Sequence, residues 1–177
     1  KKEEEAGMHW VALSFWFAIC FAVAGIGSWW TAGEINDWYR GLTKPAIAPP
    51  NWVFGPVWTV LYALMAISAW LVSQSAPSSW RTCALTLFFA QLGLNLAWSW
   101  IFFRRHAIGA ALAEVILLWA GIGVTLLVFS RVEPLAAWLL APYWAWVSFA
   151  AVLNAALWRI NKPRAGSIWF SSRQRQE

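Results

Sequence analysis

Charge is what this chain has least of. Only 12% of its 177 residues are Asp, Glu, Lys or Arg, and 60% are hydrophobic, whereas a soluble domain carries roughly a quarter charged residues. An ordinary water-soluble globule is thereby excluded. Cysteine is scarce too. Cys20 and Cys83 form no CxxC and have no adjacent metal-ligand residues, which supports neither a disulfide framework nor a zinc site, so both read as small apolar packing residues. The two histidines, His9 and His106, fall at expected helix ends. That placement argues against a buried bis-histidine haem and leaves an interfacial axial ligand open. There is no Ser/His/Asp set, Gly-rich phosphate loop or metal-ligand cluster, so conventional hydrolysis and phosphoryl transfer have no candidate residues. The net charge of +5 sits at the ends of apolar runs and in the tail, not on one face. It reads as a topology signal and does not suggest nucleic acid.

Long apolar runs are what the chain has instead. About 20 apolar residues cross a bilayer core, and five such runs use up most of the length. The expectation is an all-α membrane protein, a five-transmembrane-helix bundle occupying residues 8–162. The spans are placed at about 9–30, 52–72, 80–103, 107–129 and 135–158. Residues 1–7, KKEEEAG, read as a linker or cloning remnant, and residues 163–177 as a polar tail. Seventeen tryptophans exceed what interfacial belts require. Several therefore line something internal.

Residues 31–51 form the longest polar break, with Glu34, Asp37, Arg40, Lys44, Pro45, Pro49 and Pro50. Such a segment cannot span, and we read it as a long ordered loop acting as a lid. Five spans place the termini on opposite sides. Lys1, Lys2, Arg81 and Arg131 fall on the amino-terminal side. Arg40, Lys44, Arg104, Arg105, Arg159, Lys162, Arg164, Arg173 and Arg175 fall on the other. An excess of basic residues marks the cytoplasmic side, so the carboxyl terminus and the lid are expected there. Which membrane is involved does not follow from this count.

Polar side chains inside a membrane are costly and tend to face a shared interior. In the third span, Gln91, Asn95 and Trp98 share one helical face, while Gly93 and Ala97 lie roughly opposite. The Gly93-xxx-Ala97 face permits close approach of another helix, and a dimer seam and packing within one chain account for it equally well. In the fifth span, Trp146, Ala150 and Leu153 set an indole beside a small residue, as in a flat apolar slot or in ordinary packing. In the second, Trp58 and Tyr62 are one turn apart, and a buried Tyr62 hydroxyl needs a partner that Asn95 or Gln91 can supply. Glu114 is the carboxylate well inside a span. No Asp, His, Lys or Arg accompanies it at depth, so a proton relay lacks its other members.

The segment Trp38-Tyr39-x4-Lys44-Pro45-x3-Pro49-Pro50-x-Trp52-Val53-Phe54-Gly55-Pro56-Val57-Trp58-x3-Tyr62 resembles the translocator protein family, also called tryptophan-rich sensory proteins or peripheral benzodiazepine receptors (TspO/MBR). Two further blocks are similar to the family's third and fifth helices. These are Gln91-Leu92-x-Leu94-Asn95-x-Ala97-Trp98-x-x-Ile101-Phe102-Phe103 and Pro142-Tyr143-x-Ala145-Trp146-x3-Ala150-x-x-Leu153-Asn154-x3-Trp158-Arg159. The resemblance covers about residues 10–162. It implies a five-helix bundle, often a homodimer, whose cavity is closed by the first loop and takes porphyrins, sterols and benzodiazepine or isoquinoline drugs. It also implies pocket roles for Trp52, Tyr62, Asn95, Trp98, Trp146, Ala150 and Leu153. Bacterial members are associated with light- and oxygen-dependent breakdown of protoporphyrin, for which Trp52 and Trp146 are the matching positions. Two departures stand out. The sterol-recognition stretch lacks its aromatic between Leu153 and Arg159, and Ala110 stands where animal members tend to carry Trp.

Three functions follow as expectations, none needing a resident cofactor or metal. One is a receptor, sensor or carrier for tetrapyrroles such as protoporphyrin IX, or other planar apolar molecules. Another is a photo-oxidative porphyrin-degrading enzyme using Trp52 and Trp146. The third is a structural protein that organises partners in the bilayer.

Overall fold

The computed structural model describes residues 2–162 of the chain, with side chains from residue 7 onward; the expected polar tail lies outside them. Five helices are long and apolar enough to cross a membrane, and no strand occurs among the described residues. Helix α1 runs Lys2–Asn36, beyond the expected 9–30 at both ends. Lys, Glu and Ala are strong helix formers, which carries the helix back through the KKEEEAG stretch. At the other end no proline intervenes before Pro45, and the Thr31 hydroxyl turns back to donate to the Gly27 carbonyl at 2.8 Å.

The expected lid is therefore only partly a loop. Its first residues belong to α1, a single turn α2 follows at Trp38–Gly41, and only Asp37 and residues 42–50 are without helix before a 3₁₀ turn at Asn51–Val53. Helix α3, Phe54–Gln74, carries Pro56 in its first turn, where no backbone donor is lost. Helix α4, Ser79–Ser99, starts on the Ser78 side chain, which accepts from the Arg81 amide at 3.1 Å. It ends four residues before the expected Phe103, because Trp100–Arg104 widens into a π-helical turn. His106 follows with φ 52°, a conformation that reverses the chain into α5, Ile108–Val132. Glu133 accepts from the Leu135 amide and Pro134 opens α6, Pro134–Asn161.

The five long helices run alternately up and down, giving the bundle a loop end and a far end. Exposed tryptophans mark both: Trp10, Trp80 and Trp138 at the far end, Trp29, Trp52, Trp100 and Trp158 at the loop end. This is the belt arrangement of indoles at the two bilayer interfaces. Between the belts the outer surface is apolar, with Val60, Ile116, Leu127 and Val152 exposed. The chain is thus an integral, multi-pass membrane protein. Cys20 is buried as expected, but Cys83 is exposed on α4 and packs nothing inside.

Toward the far end side chains fill the interior. Phe88 of α4 stacks on Phe129 of α5 at 6.1 Å, and Met65, Ala69 and Leu140 are fully enclosed. The Trp16 indole donates to the Ser73 hydroxyl at 3.1 Å, tying α1 to the end of α3. The Ser68 hydroxyl donates to the Ala136 carbonyl at 2.7 Å, joining α3 to α6. Phe88→Ala should cost about 3 kcal/mol through the void it leaves and lower the thermal midpoint in detergent. Leu127→Ala, on the lipid face, should leave that midpoint unmoved.

Candidate functional site

The loop-end half of the bundle is hollow. A cavity of about 690 Å³ lies among the five long helices beneath the 3₁₀ turn, with α5 contributing Val115 and Leu118, within the range that holds drug-sized or larger flat molecules. No charged side chain lines it. Its walls are ring faces and small residues. Trp58 leans on Tyr62 at 5.6 Å and on Tyr143 at 6.1 Å; Trp98 stacks on Phe102 at 5.0 Å; Phe54 meets Trp146 edge-on at 6.0 Å, and Phe149 follows Trp146 at 5.5 Å.

Each polar group at the wall is neutral, and most are paired. The Tyr62 hydroxyl donates to Asn95 Oδ1 at 2.6 Å, and Asn95 Nδ2 donates to the Tyr143 hydroxyl at 3.0 Å. One amide thus links α3, α4 and α6. The Trp98 indole donates to Asn154 Oδ1 at 3.2 Å, and Asn154 Nδ2 donates to the Ile108 carbonyl at 2.9 Å, a carbonyl in the first turn of α5. Near the top, Tyr39 is buried against Phe102 and Phe103, and that burial raises its phenol above the ordinary value. It stays neutral at physiological pH.

Two clasps fold the loop over this end. The His106 ring stacks on Trp38 at 4.2 Å, with Nε2 2.8 Å from the Glu34 carboxylate. Asn161, at the end of α6, grips Thr43 with both halves of its amide. Its Oδ1 accepts from the Thr43 amide at 3.0 Å, and its Nδ2 donates to the Thr43 carbonyl at 3.0 Å. The Lys44 ammonium also sits 4.8 Å over the Tyr39 ring.

All seven residues singled out from the sequence for a pocket face this cavity: Trp52 from the 3₁₀ turn, Tyr62 from α3, Asn95 and Trp98 from α4, Trp146, Ala150 and Leu153 from α6. Trp52 stands at the rim, 74% exposed. Of the two partners offered for the Tyr62 hydroxyl, Asn95 is the one used. Gln91 shares the Asn95 face but lies below the cavity, and its amide atoms have no hydrogen-bond partner among the described residues. The Glu114 carboxylate oxygens are buried without a partner among those residues as well. Gly93 lies on the outer surface, where an added Cβ meets nothing within 4 Å, and Ala97 is half-buried. No group of His, Cys, Asp and Glu able to hold a metal ion occurs among the described residues.

Sequence reasoning missed the wall that α1 supplies, where Ala24, Gly27, Ser28 and Thr31 face the cavity. It also missed Tyr39, Phe102 and Asn154. Asn154 had a signal, since a neutral amide deep in a span needs a buried partner. The α1 residues had little, because small side chains serve packing and pocket alike.

Five spans around an uncharged aromatic chamber, capped by a clasped loop, define a multi-pass membrane protein of the receptor or translocator kind. The TspO/MBR family profile matches residues 16–159, and the chain belongs to that family. It is 37% identical over 155 residues to the tryptophan-rich protein TspO of Chlorobaculum tepidum, covering 85% of this chain and 96% of that one. It is 41% identical over 138 residues to the human translocator protein, covering 77% and 82%. With the tryptophan-rich sensory protein of Cereibacter sphaeroides it shares 35% over 154 residues, covering 87% and 94%.

The Asn95 bridge makes a specific test available. Asn95→Ala should lower the thermal midpoint in detergent, because two buried hydroxyls lose their partner at about 1–3 kcal/mol each. Adding Tyr62→Phe and Tyr143→Phe to that variant should recover part of the loss, since the orphaned groups are then gone.

Proposed function

We propose that this protein is a membrane receptor or carrier that takes a flat, mostly apolar molecule, a porphyrin such as protoporphyrin IX above all, into the cavity between its helices. The observation that carries this reading is the chemistry of the wall. Indole and phenyl faces from three helices enclose an uncharged space, and the neutral Tyr62–Asn95–Tyr143 and Trp98–Asn154 pairs offer local polarity without a fixed charge. A planar ring system gains stacking there, while an ionised substituent has no partner inside and stays at the rim. Arg40, Lys44, Arg105 and Lys162 all belong to the loop end of the bundle, and their charges suit carboxylates on such a ring. Sterols and isoquinoline or benzodiazepine drugs fit the same apolar description, with the sterol motif weakened as noted.

The test is a dark titration of protoporphyrin IX into detergent-solubilised protein, followed by tryptophan quenching. Saturable quenching is expected, with Ala150→Trp, which fills the slot beside Trp146, weakening it at least about tenfold. Quenching that never saturates, or that Ala150→Trp leaves unchanged, removes the cavity as the binding site. Hydrogen exchange in residues 31–51 should slow on saturation if the clasped loop acts as a lid over the bound molecule.

A second reading has an observation of its own, since Trp52 and Trp146 both reach the cavity. A porphyrin excited between two indoles, with oxygen as co-reactant, can abstract an electron from one of them, which is the starting point for photo-oxidative breakdown. Illumination in air should then give a new absorption spectrum that Trp146→Phe abolishes. A purely structural role predicts the reverse of both, with cavity substitutions moving stability alone. Two expectations go with the receptor reading. Homodimerisation would use Gly93 and Ala97, and the positive-inside rule would turn the loop end to the cytoplasm.

A further inference from the structure

We propose that the ligand reaches the cavity sideways from the bilayer, through an opening between α1 and α3, and that the clasped loop end is not its route. This rests on the receptor reading above and adds the path.

Two stripes of residues both line the cavity and face outward. On α1 they are Phe21, Gly25, Ser28 and Ala32, at helical spacings of three and four; on α3 they are Gly55 and Thr59, below Trp52. A cavity wall exposed on its outer side marks an opening, and these two stripes are its lips. Their deeper members lie at membrane depth, while Gly55 and Ala32 mark the upper edge nearest the loop end. Gly25 is three helical turns, about 16 Å, from the α1 end at Asn36, and Thr59 lies within α3, past its first turn. Apart from Phe21 at the lower edge, the lips are made of small residues, and a Cβ added at Gly25 or Gly55 meets nothing within 4 Å. The other walls are closed at the same level: Asn95, Phe102, Val147 and Leu153 are all buried.

The loop end offers the contrary picture. Residues 34–44 are held by the His106–Glu34 contact, the His106–Trp38 stack and the two-point Asn161–Thr43 clasp. The opening between α1 and α3 has no such closure there, and the Trp16–Ser73 bond that joins the two helices lies at the far end. An apolar ring system partitions into the bilayer before it meets any protein. A doorway at membrane depth then spares it a return to water.

The test uses protein reconstituted in phosphatidylcholine vesicles loaded with protoporphyrin IX, with tryptophan quenching followed by stopped flow. Gly25→Leu and Gly55→Leu, on opposite lips, should each slow association and dissociation together by about tenfold. Asn161→Ala, which frees the loop, should leave both rates as they are. An association rate that rises in Asn161→Ala, or that stays at the wild-type value in both glycine variants, takes access away from the α1–α3 opening and overturns the proposal. Association slowed with dissociation unslowed marks a damaged site and overturns it as well. Absence of saturable quenching in the unmodified protein would instead sink the receptor reading itself.

Discussion

A polar side chain inside a bilayer has no water to fall back on, and the middle of this bundle is organised around that constraint. Asn95 answers it with one amide, accepting from Tyr62 and donating to Tyr143. Three helices that are distant in sequence are thereby set at one height and one rotation, because a slip of one residue would turn a hydroxyl toward lipid. The aromatic faces follow from that placement. Trp58 sits against both tyrosine rings, and Trp98, one turn beyond Asn95, reaches Asn154 on α6. Below this level side chains fill the space. Above it they leave it open, since the small residues of α1 do not extend far enough to meet the indoles opposite.

The far end and the loop end divide the work accordingly. Phe88, Phe129, Met65 and Leu140 are fully buried and fill the interior at the far end, and the Trp16–Ser73 and Ser68–Ala136 bonds fasten α3 to its two neighbours. Packing of that kind holds the helices together there. The hollow half can then be lined by what a ligand needs in place of what the fold needs.

How much of this was legible beforehand depended on the range of the interactions involved. Five spans follow from the length of the apolar runs, and the need of a buried Tyr62 hydroxyl for a partner narrows the choice to Asn95 or Gln91, between which the structure selects Asn95. The positions of Trp146, Ala150 and Leu153 on one wall follow from helical spacing together with family resemblance. The ends of α1 were misplaced for local reasons: Lys, Glu and Ala extend it backward, and Thr31–Asn36 continues it because nothing there stops a helix. The π-helical turn at Trp100–Arg104 had no advance signal, and it is what swings Phe102 and Phe103 inward. The folding of residues 37–50 depends on Asn161 and His106, partners far along the chain. A polar, proline-rich stretch shows that it is not a span, but not which distant side chains will hold it.

The Asn161 clasp places the two-point pairing of a β-bridge where there is no sheet, with one amide standing in for a strand. Its other anchor is a hydrogen bond from the same Nδ2 to the Leu157 carbonyl, in the last turn of α6. Terminal turns are where helices fray most readily. Release of the loop is therefore coupled to the unwinding of a single turn, so that the mobility of the cover over the chamber is set by the end of the most distant helix in the chain.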